Sequence, residues 1–126
     1  MRLILEAMKV VEDPTSGEIG EALPAAQFAV LMHEPDSPSY IQFMRSRMRG
    51  IELEYQVESL DNHFRAVDVS LTIERVIVAF QKYASGDDSW KRDFQWKQLD
   101  VMTVHGQKIL VTREWMRKVK NSSAES

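Results

Sequence analysis

The chain has 126 residues, 44% hydrophobic and 28% charged, with a formal net charge of −3 and no cysteine. That balance bounds one globular domain with a single core, and the lack of cysteine excludes disulfides, thiolate metal sites and cysteine nucleophiles. The opening Met1-Arg2-Leu3-Ile4-Leu5-Glu6 lacks a signal-peptide pattern, and no apolar run nears the ~20 residues of a bilayer span, so a cytoplasmic protein away from membranes is expected.

Residues 2–11 fit neither period cleanly; their Ile and Val content favours a strand. Asp13 to Gly17 reads as a turn or helix start, with Thr15 or Ser16 as cap. Glu18 to Leu23 then reads as a short helix with Ile19, Ala22 and Leu23 inward, ended by Pro24. The compact apolar run Gln27 to Met32 predicts a buried strand, and His33 to Ser39, with two prolines, a loop.

The next segments predict two linked hairpins. Ile51, Leu53, Tyr55 and Val57 alternate strictly with Glu52, Glu54, Gln56 and Glu58, the pattern of a half-buried strand. A two-residue turn at Arg49-Gly50 would pair Arg47 with Glu52 and Arg45 with Glu54 on the outer face, and Met48 with Ile51 and Met44 with Tyr55 on the inner face. A turn at Ser59 to Asn62 would place Glu58 opposite His63 and Val57 opposite Phe64, with a third strand from His63 to Val69.

Ser70 or Thr72 caps a helix whose apolar stripe is Ile73, Val76, Ile77, Phe80, Tyr83 and Ala84, and Gly86 ends it. This stripe is expected to dock on Leu53, Tyr55, Val57 and Phe64. Asp87-Asp88-Ser89 reads as an exposed loop, and Gln95 to Val101 as a strand with Trp96 inward. Beyond Val104, His105-Gly106 suggests a turn, Ile109 to Val111 a short apolar segment, and Thr112 a cap for a basic helix from Arg113 to Lys120. The expected fold is α+β: a mostly antiparallel sheet of about five strands against one long and one short helix, with residues 1–120 as the domain and 121–126 as a disordered tail.

Candidate chemistry is sparse. His33, His63 and His105 lie in separate elements, without the i, i+4 spacing of a helical metal pair. His63 beside Glu58 lacks a nucleophile and an oxyanion site. Asp87 and Asp88 supply too few ligands for a divalent ion. No phosphate loop or nucleophile elbow occurs, so neither a metal nor another cofactor is expected. Residues 1–38 carry a charge balance of −5 and residues 97–126 one of +3, too little base for a nucleic-acid surface. The most unusual expected surface is the polar sheet face of Arg45, Arg47, Glu52, Glu54, Glu58, His63 and Arg65, to which Asp87, Asp88 and Trp90 would add an acidic loop and an aromatic anchor.

The run IELEYQVESLDNHFRAVDVSLTIERVIVAFQKYASGDDSWKRDFQW, Ile51 to Trp96, resembles small bacterial proteins with a strand bearing E-Y, a turn, H-[FY]-x-A, a helix ending A-F-x-x-Y-x-x-G-[DE], and then W…W. It is also similar to immunity proteins of contact-dependent and polymorphic toxin systems. The resemblance implies a non-catalytic protein that binds and blocks a cognate toxin, with no catalytic residues to transfer. Two alternatives stay open: a small enzyme or ligand-binding domain with an unannounced cleft, and an assembly protein, a homodimer included, that pairs through a sheet edge or the basic C-terminal helix.

Overall fold

The structure, a computed structural model, describes residues 1–112 apart from 35, 36, 49, 69, 105 and 106, and for 100–104 and 107–112 it describes the backbone alone. The turn expected at His105-Gly106, the basic helix at 113–120 and the tail at 121–126 lie outside the described residues.

The fold is α+β. Eight strands are described: β1 (Arg2–Leu5), β2 (Val10–Glu12), β3 (Phe28–Met32), β4 (Tyr40–Ser46), β5 (Gly50–Val57), β6 (Ser59–Ala66), β7 (Trp96–Val104) and β8 (Gln107–Thr112). They form one antiparallel sheet in the order β2-β1-β3-β4-β5-β6-β7-β8, wider than the five strands expected. Two α-helices are described, α1 (Ser16–Ala22) and α2 (Ile73–Ser85). Every connection is local because successive strands pair with each other, except that β3 returns beside β1 after α1.

Local signals explain the ends of both helices. Thr15 and Glu18 form a reciprocal capping box: the Glu18 N–H donates to Thr15 Oγ1 at 3.1 Å, and the Thr15 N–H donates to Glu18 Oε1 at 3.0 Å. Thr72 caps α2 by accepting from the Arg75 N–H. At the other end Gly86 takes φ +80, a left-handed conformation that leaves its N–H and that of Asp87 free to bond the last carbonyls. An alanine at Gly86 should cost about 1 kcal/mol in denaturant melts, because its Cβ meets the left-handed penalty although nothing else is near.

Both helices pack on one face of the sheet. That face supplies Leu3, Leu5, Ala29, Leu31, Ile41, Phe43, Leu53, Tyr55 and Ala66; the helices supply Ile19, Val76, Ala79 and Phe80. Phe80 meets Phe43 edge to face with centroids 5.9 Å apart. Further along, Tyr55 stacks on Phe64 and receives the edges of Trp90 and Trp96 at 4.9 and 4.6 Å. Of the four residues expected beneath the helix, Leu53, Tyr55 and Phe64 belong to this core; Val57 does not and is exposed.

The first hairpin differs from expectation in register. Ser46 pairs with Gly50, Met44 with Glu52, Gln42 with Glu54 and Ile41 with Tyr55. A two-residue turn at Arg49-Gly50 of the favoured type would need positive φ at both positions, which arginine disfavours. Gly50 takes φ +71, and the reversal falls between Ser46 and Gly50. The odd shift inverts the strand. Ile41 and Phe43 turn inward, Met44 turns outward, and neither Arg47–Glu52 nor Arg45–Glu54 forms.

The second hairpin slips by two residues, which preserves the faces. The chain reverses at Glu58, whose φ is +66, with a bulge at Gln56/Val57, so Ser59 to Asn62 is strand and not turn. Gln56 now faces His63, Tyr55 faces Phe64 and Glu54 faces Arg65. Residues 2–11, expected as one strand, are the β1–β2 hairpin. Its turn places Ala7 and Met8 at φ 60, with the Lys9 N–H donating to the Glu6 carbonyl at 3.4 Å. Asn-Gly would adopt that turn without strain, so the double substitution Ala7→Asn, Met8→Gly should raise stability by about 1–2 kcal/mol in urea melts.

Candidate functional site

The face of the sheet away from the helices follows from strand alternation and the observed pairings. One row across it reads Glu12, Arg2, Met32, Tyr40, Gln56, His63 and Leu99. The next reads Val10, Ile4, Val30, Gln42, Glu54, Arg65 and Lys97. A third, shorter row contains Phe28, Met44 and Glu52. The two halves of this outer face differ in chemistry.

On β4, β5 and β6 the outer residues form a closed polar network around Glu54. Arg65 donates from Nε to Glu54 Oε1 at 2.9 Å, and Gln42 donates from Nε2 to Oε2 at 2.7 Å. The Nε2 atom of His63 lies 3.3 Å from Oε2, off the alignment of a hydrogen bond. Gln56 donates from its amide to the Pro38 carbonyl at 2.8 Å, so its Oε1 faces the other way, where it accepts from the Tyr40 hydroxyl at 3.2 Å and meets His63 Nδ1 at 3.0 Å. With Oε1 as the acceptor, Nδ1 donates to it. Burial pushes the Glu54 carboxyl up, but the contacts of His63, Gln42 and Arg65 outweigh it and hold the group down at about 2. Burial, and then the charge of Glu54, push the Tyr40 hydroxyl up.

This network is turned inward. His63 is 1% exposed and the Glu54 side chain 14%. Their polar atoms face protein groups, an arrangement that stiffens the centre of the sheet. Of the residues expected on a recognition face, Glu54, His63 and Arg65 are therefore brought together, and Glu58 is separate, its N–H donating to Ser39 Oγ. Arg45 lies on the helix side and donates to the carbonyls of Ala26 and Pro24. Arg47 is exposed in the β4–β5 reversal, and Glu52 is half-buried beside Met44. Asp87 and Asp88 are exposed; Asp87 caps a 3-10 helix, Asp88–Asp93, by accepting from the Ser89 N–H. Trp90 is not a surface anchor: it is 2% exposed, clasped by Tyr55, Tyr83 and Trp96. Short spacing between the acidic pair and the tryptophan made them look like one surface, but the 3-10 turn sends the indole inward.

On β2, β1, β3 and β4 the same face is apolar and open. Phe28 and Met44 are cross-strand neighbours, 36% and 52% exposed, and Val10 on the edge strand is 44% exposed. Ile4, Val30 and Met32 lie half-buried between them and are not among the residues packed in the core. Met8 and Met48 are 86% and 94% exposed in the two reversals at this end of the sheet. The run Phe28 to Met32 carries the missed signal: a strand apolar on both faces leaves one face uncovered when helices lie on the other alone. Expected as wholly buried, it buries only Ala29 and Leu31.

On the helix side of the sheet, between the β1–β2 hairpin and α1, runs a groove with two adjoining cavities of about 220 and 250 Å³. Alanines 22, 25 and 26 form part of its wall, and Glu6, Glu18, Glu21 and Lys9 bring charge to it. The N–H groups of Phe28 and Gln27 hold the Glu6 carboxylate below its ordinary range. Among the described residues no three His, Cys, Asp or Glu side chains converge as metal ligands, and no helix is long and apolar enough to cross a membrane. In comparisons with protein-family models, curated proteins and solved structures, nothing matches this chain.

Proposed function

We propose that the protein acts by stoichiometric, non-catalytic binding to another protein, most concretely as an immunity-type inhibitor of a bacterial toxin in the cytoplasm. One observation carries the reading: the open apolar half of the outer sheet face, where Phe28 and Met44 are exposed cross-strand neighbours and Val10 is exposed on the edge strand, with half-buried Ile4 and Val30 on the strands between. Contiguous exposed apolar patches on soluble domains mark interaction surfaces. The inward-turned Glu54 network beside it supports the reading by holding β4, β5 and β6 rigid, so that little conformational entropy is lost on binding.

The test is co-expression of the full chain with the product of the adjacent gene. Rescue of growth from a toxic neighbour, together with a one-to-one complex on gel filtration, is the expected result. The reading fails if a toxic neighbour is not neutralised, or if the purified protein turns over a small molecule and His63→Ala abolishes that turnover.

A further inference from the structure

Two regular patterns meet at the groove between α1 and the β1–β2 hairpin. On α1 and the turn that follows it, Glu18, Glu21, Ala22 and Ala25 recur at i, i+3, i+4 and i+7, which is one helical face. The neighbouring face, Ile19, Leu23 and Ala26, is buried in the core. On the hairpin, Val11 pairs with Leu3, and the Leu5 N–H donates to the Lys9 carbonyl at 2.8 Å. Lys9 and Val11 therefore stand on the helix side of the sheet, across the groove from Glu21 and Ala22. Alanine at positions 22 and 25 is too short to reach the hairpin, so the space between stays unfilled.

The charges lining this space are not all engaged. Glu6 accepts from the N–H groups of Gln27 and Phe28, and Glu18 from the N–H of Thr15. Lys9 and Glu21 line both cavities, yet neither makes an ion pair or a side-chain hydrogen bond among the described residues. A cation and an anion thus share one groove without neutralising each other.

That combination selects the class of occupant. A small anion would meet three carboxylates against one ammonium. A divalent cation would meet the Lys9 ammonium, and among the described residues no three carboxylates converge to hold it. A wholly apolar molecule would strip water from both charges and return nothing. A zwitterion meets each charge with its opposite: its carboxylate reaches Lys9 and its ammonium Glu21, while an aliphatic body covers Leu5, Ala22 and Ala25. Size points the same way. At about 220 and 250 Å³, each cavity is smaller than the roughly 300–1,000 Å³ of pockets for drug-sized ligands.

We propose that the groove between α1 and the β1–β2 hairpin binds a small aliphatic zwitterion, a free amino acid. The site lies on the other side of the sheet from Phe28 and Met44 and does not rest on the inhibitor reading.

The test is an amide nitrogen–proton NMR titration of the full chain with L-leucine. Isocaproate, which is leucine without its ammonium, and isoamylamine, which is leucine without its carboxylate, serve as controls. Saturable shifts of the Lys9, Val11, Ala22 and Ala25 amides by L-leucine are expected, with each control at least tenfold weaker. Lys9→Met and Glu21→Gln, both at exposed positions, should each weaken binding at least tenfold. The double substitution Lys9→Glu, Glu21→Lys should recover much of what Lys9→Glu alone removes. Ala22→Leu should abolish the shifts by filling the groove, whereas Val78→Lys, at an exposed position on α2, should leave them unchanged. Three results overturn the proposal: L-leucine moves none of these amides, the two controls bind as well as leucine does, or Lys9→Met and Glu21→Gln bind like the unmodified chain. If L-leucine binds as described but a toxic neighbour is not neutralised, the site stands and the inhibitor reading fails. If the neighbour is neutralised and L-leucine does not bind, the reverse holds.

Discussion

Phe80→Ala should destabilise the protein by about 3–5 kcal/mol, the loss expected when a fully buried aromatic ring is deleted from a packed core. Phe80 has no exposed surface and sits where α2 crosses the sheet, edge-on to Phe43. Ile19 and Leu23 from the α1 end and Leu31 and Ile41 from the strands belong to the same enclosed cluster. Truncation leaves a cavity that α2 cannot collapse into. Its N-terminus is tied down by the Asp68–Arg75 pair and its middle by the Gln81 amide, which donates to the Ser16 carbonyl. Urea melts measure the effect directly. A loss below about 1 kcal/mol would mean that α2 does not pack as described. Phe43→Ala should give a similar loss, whereas Met44→Ala, one residue away on the open face, should change stability little. That contrast tests the strand register itself, since the alternative register exchanges the two residues' faces.

Acid should unfold the protein through Glu54. Its carboxyl is held at about 2 in the folded chain, against an ordinary value of 4.5. Because the folded value lies below the unfolded one, the stabilisation is complete above about pH 4.5 and is lost progressively as pH falls through about 2. The difference corresponds to about 3 kcal/mol. Burial opposes the ionised form, so the stabilisation comes from the groups that face the carboxylate: His63, Gln42 and Arg65. Glu54→Gln should therefore be less stable than the unmodified chain at pH 7 and show a flatter dependence of stability on pH between 4.5 and 2. Parallel pH profiles for the two proteins would remove Glu54 from this role.

Much of the local structure was legible from residues a few positions apart. The Thr15–Glu18 box, the Thr72 cap and the left-handed Gly86 each involve contacts within a turn of helix, so the sequence contains the whole interaction. The 3.6-residue stripe from Ile73 to Ala84 and the two-residue alternation from Ile51 likewise set element type and the buried side of each. An α+β fold with an antiparallel sheet followed from their order.

Register was decided at a longer range. Whether Met44 or Phe43 points inward depends on where the chain reverses, and one residue of difference in that reversal inverts the whole strand. The alternation of β5 alone was compatible with either pairing. Glu54, Gln42 and Arg65 come from three strands, and no spacing in the chain announces that their charges and amides close on one another. Whether Trp90 beside two aspartates is core or surface was open in the sequence; the 3-10 turn carries it into the aromatic cluster. The open face was the least legible feature. Hydrophobicity records that a strand such as Phe28 to Met32 avoids water on both sides, but only the tertiary structure decides which side is covered. The described helices, of 7 and 13 residues, both lie on one face of the sheet, and on the other face Phe28, Met44 and Val10 remain in water.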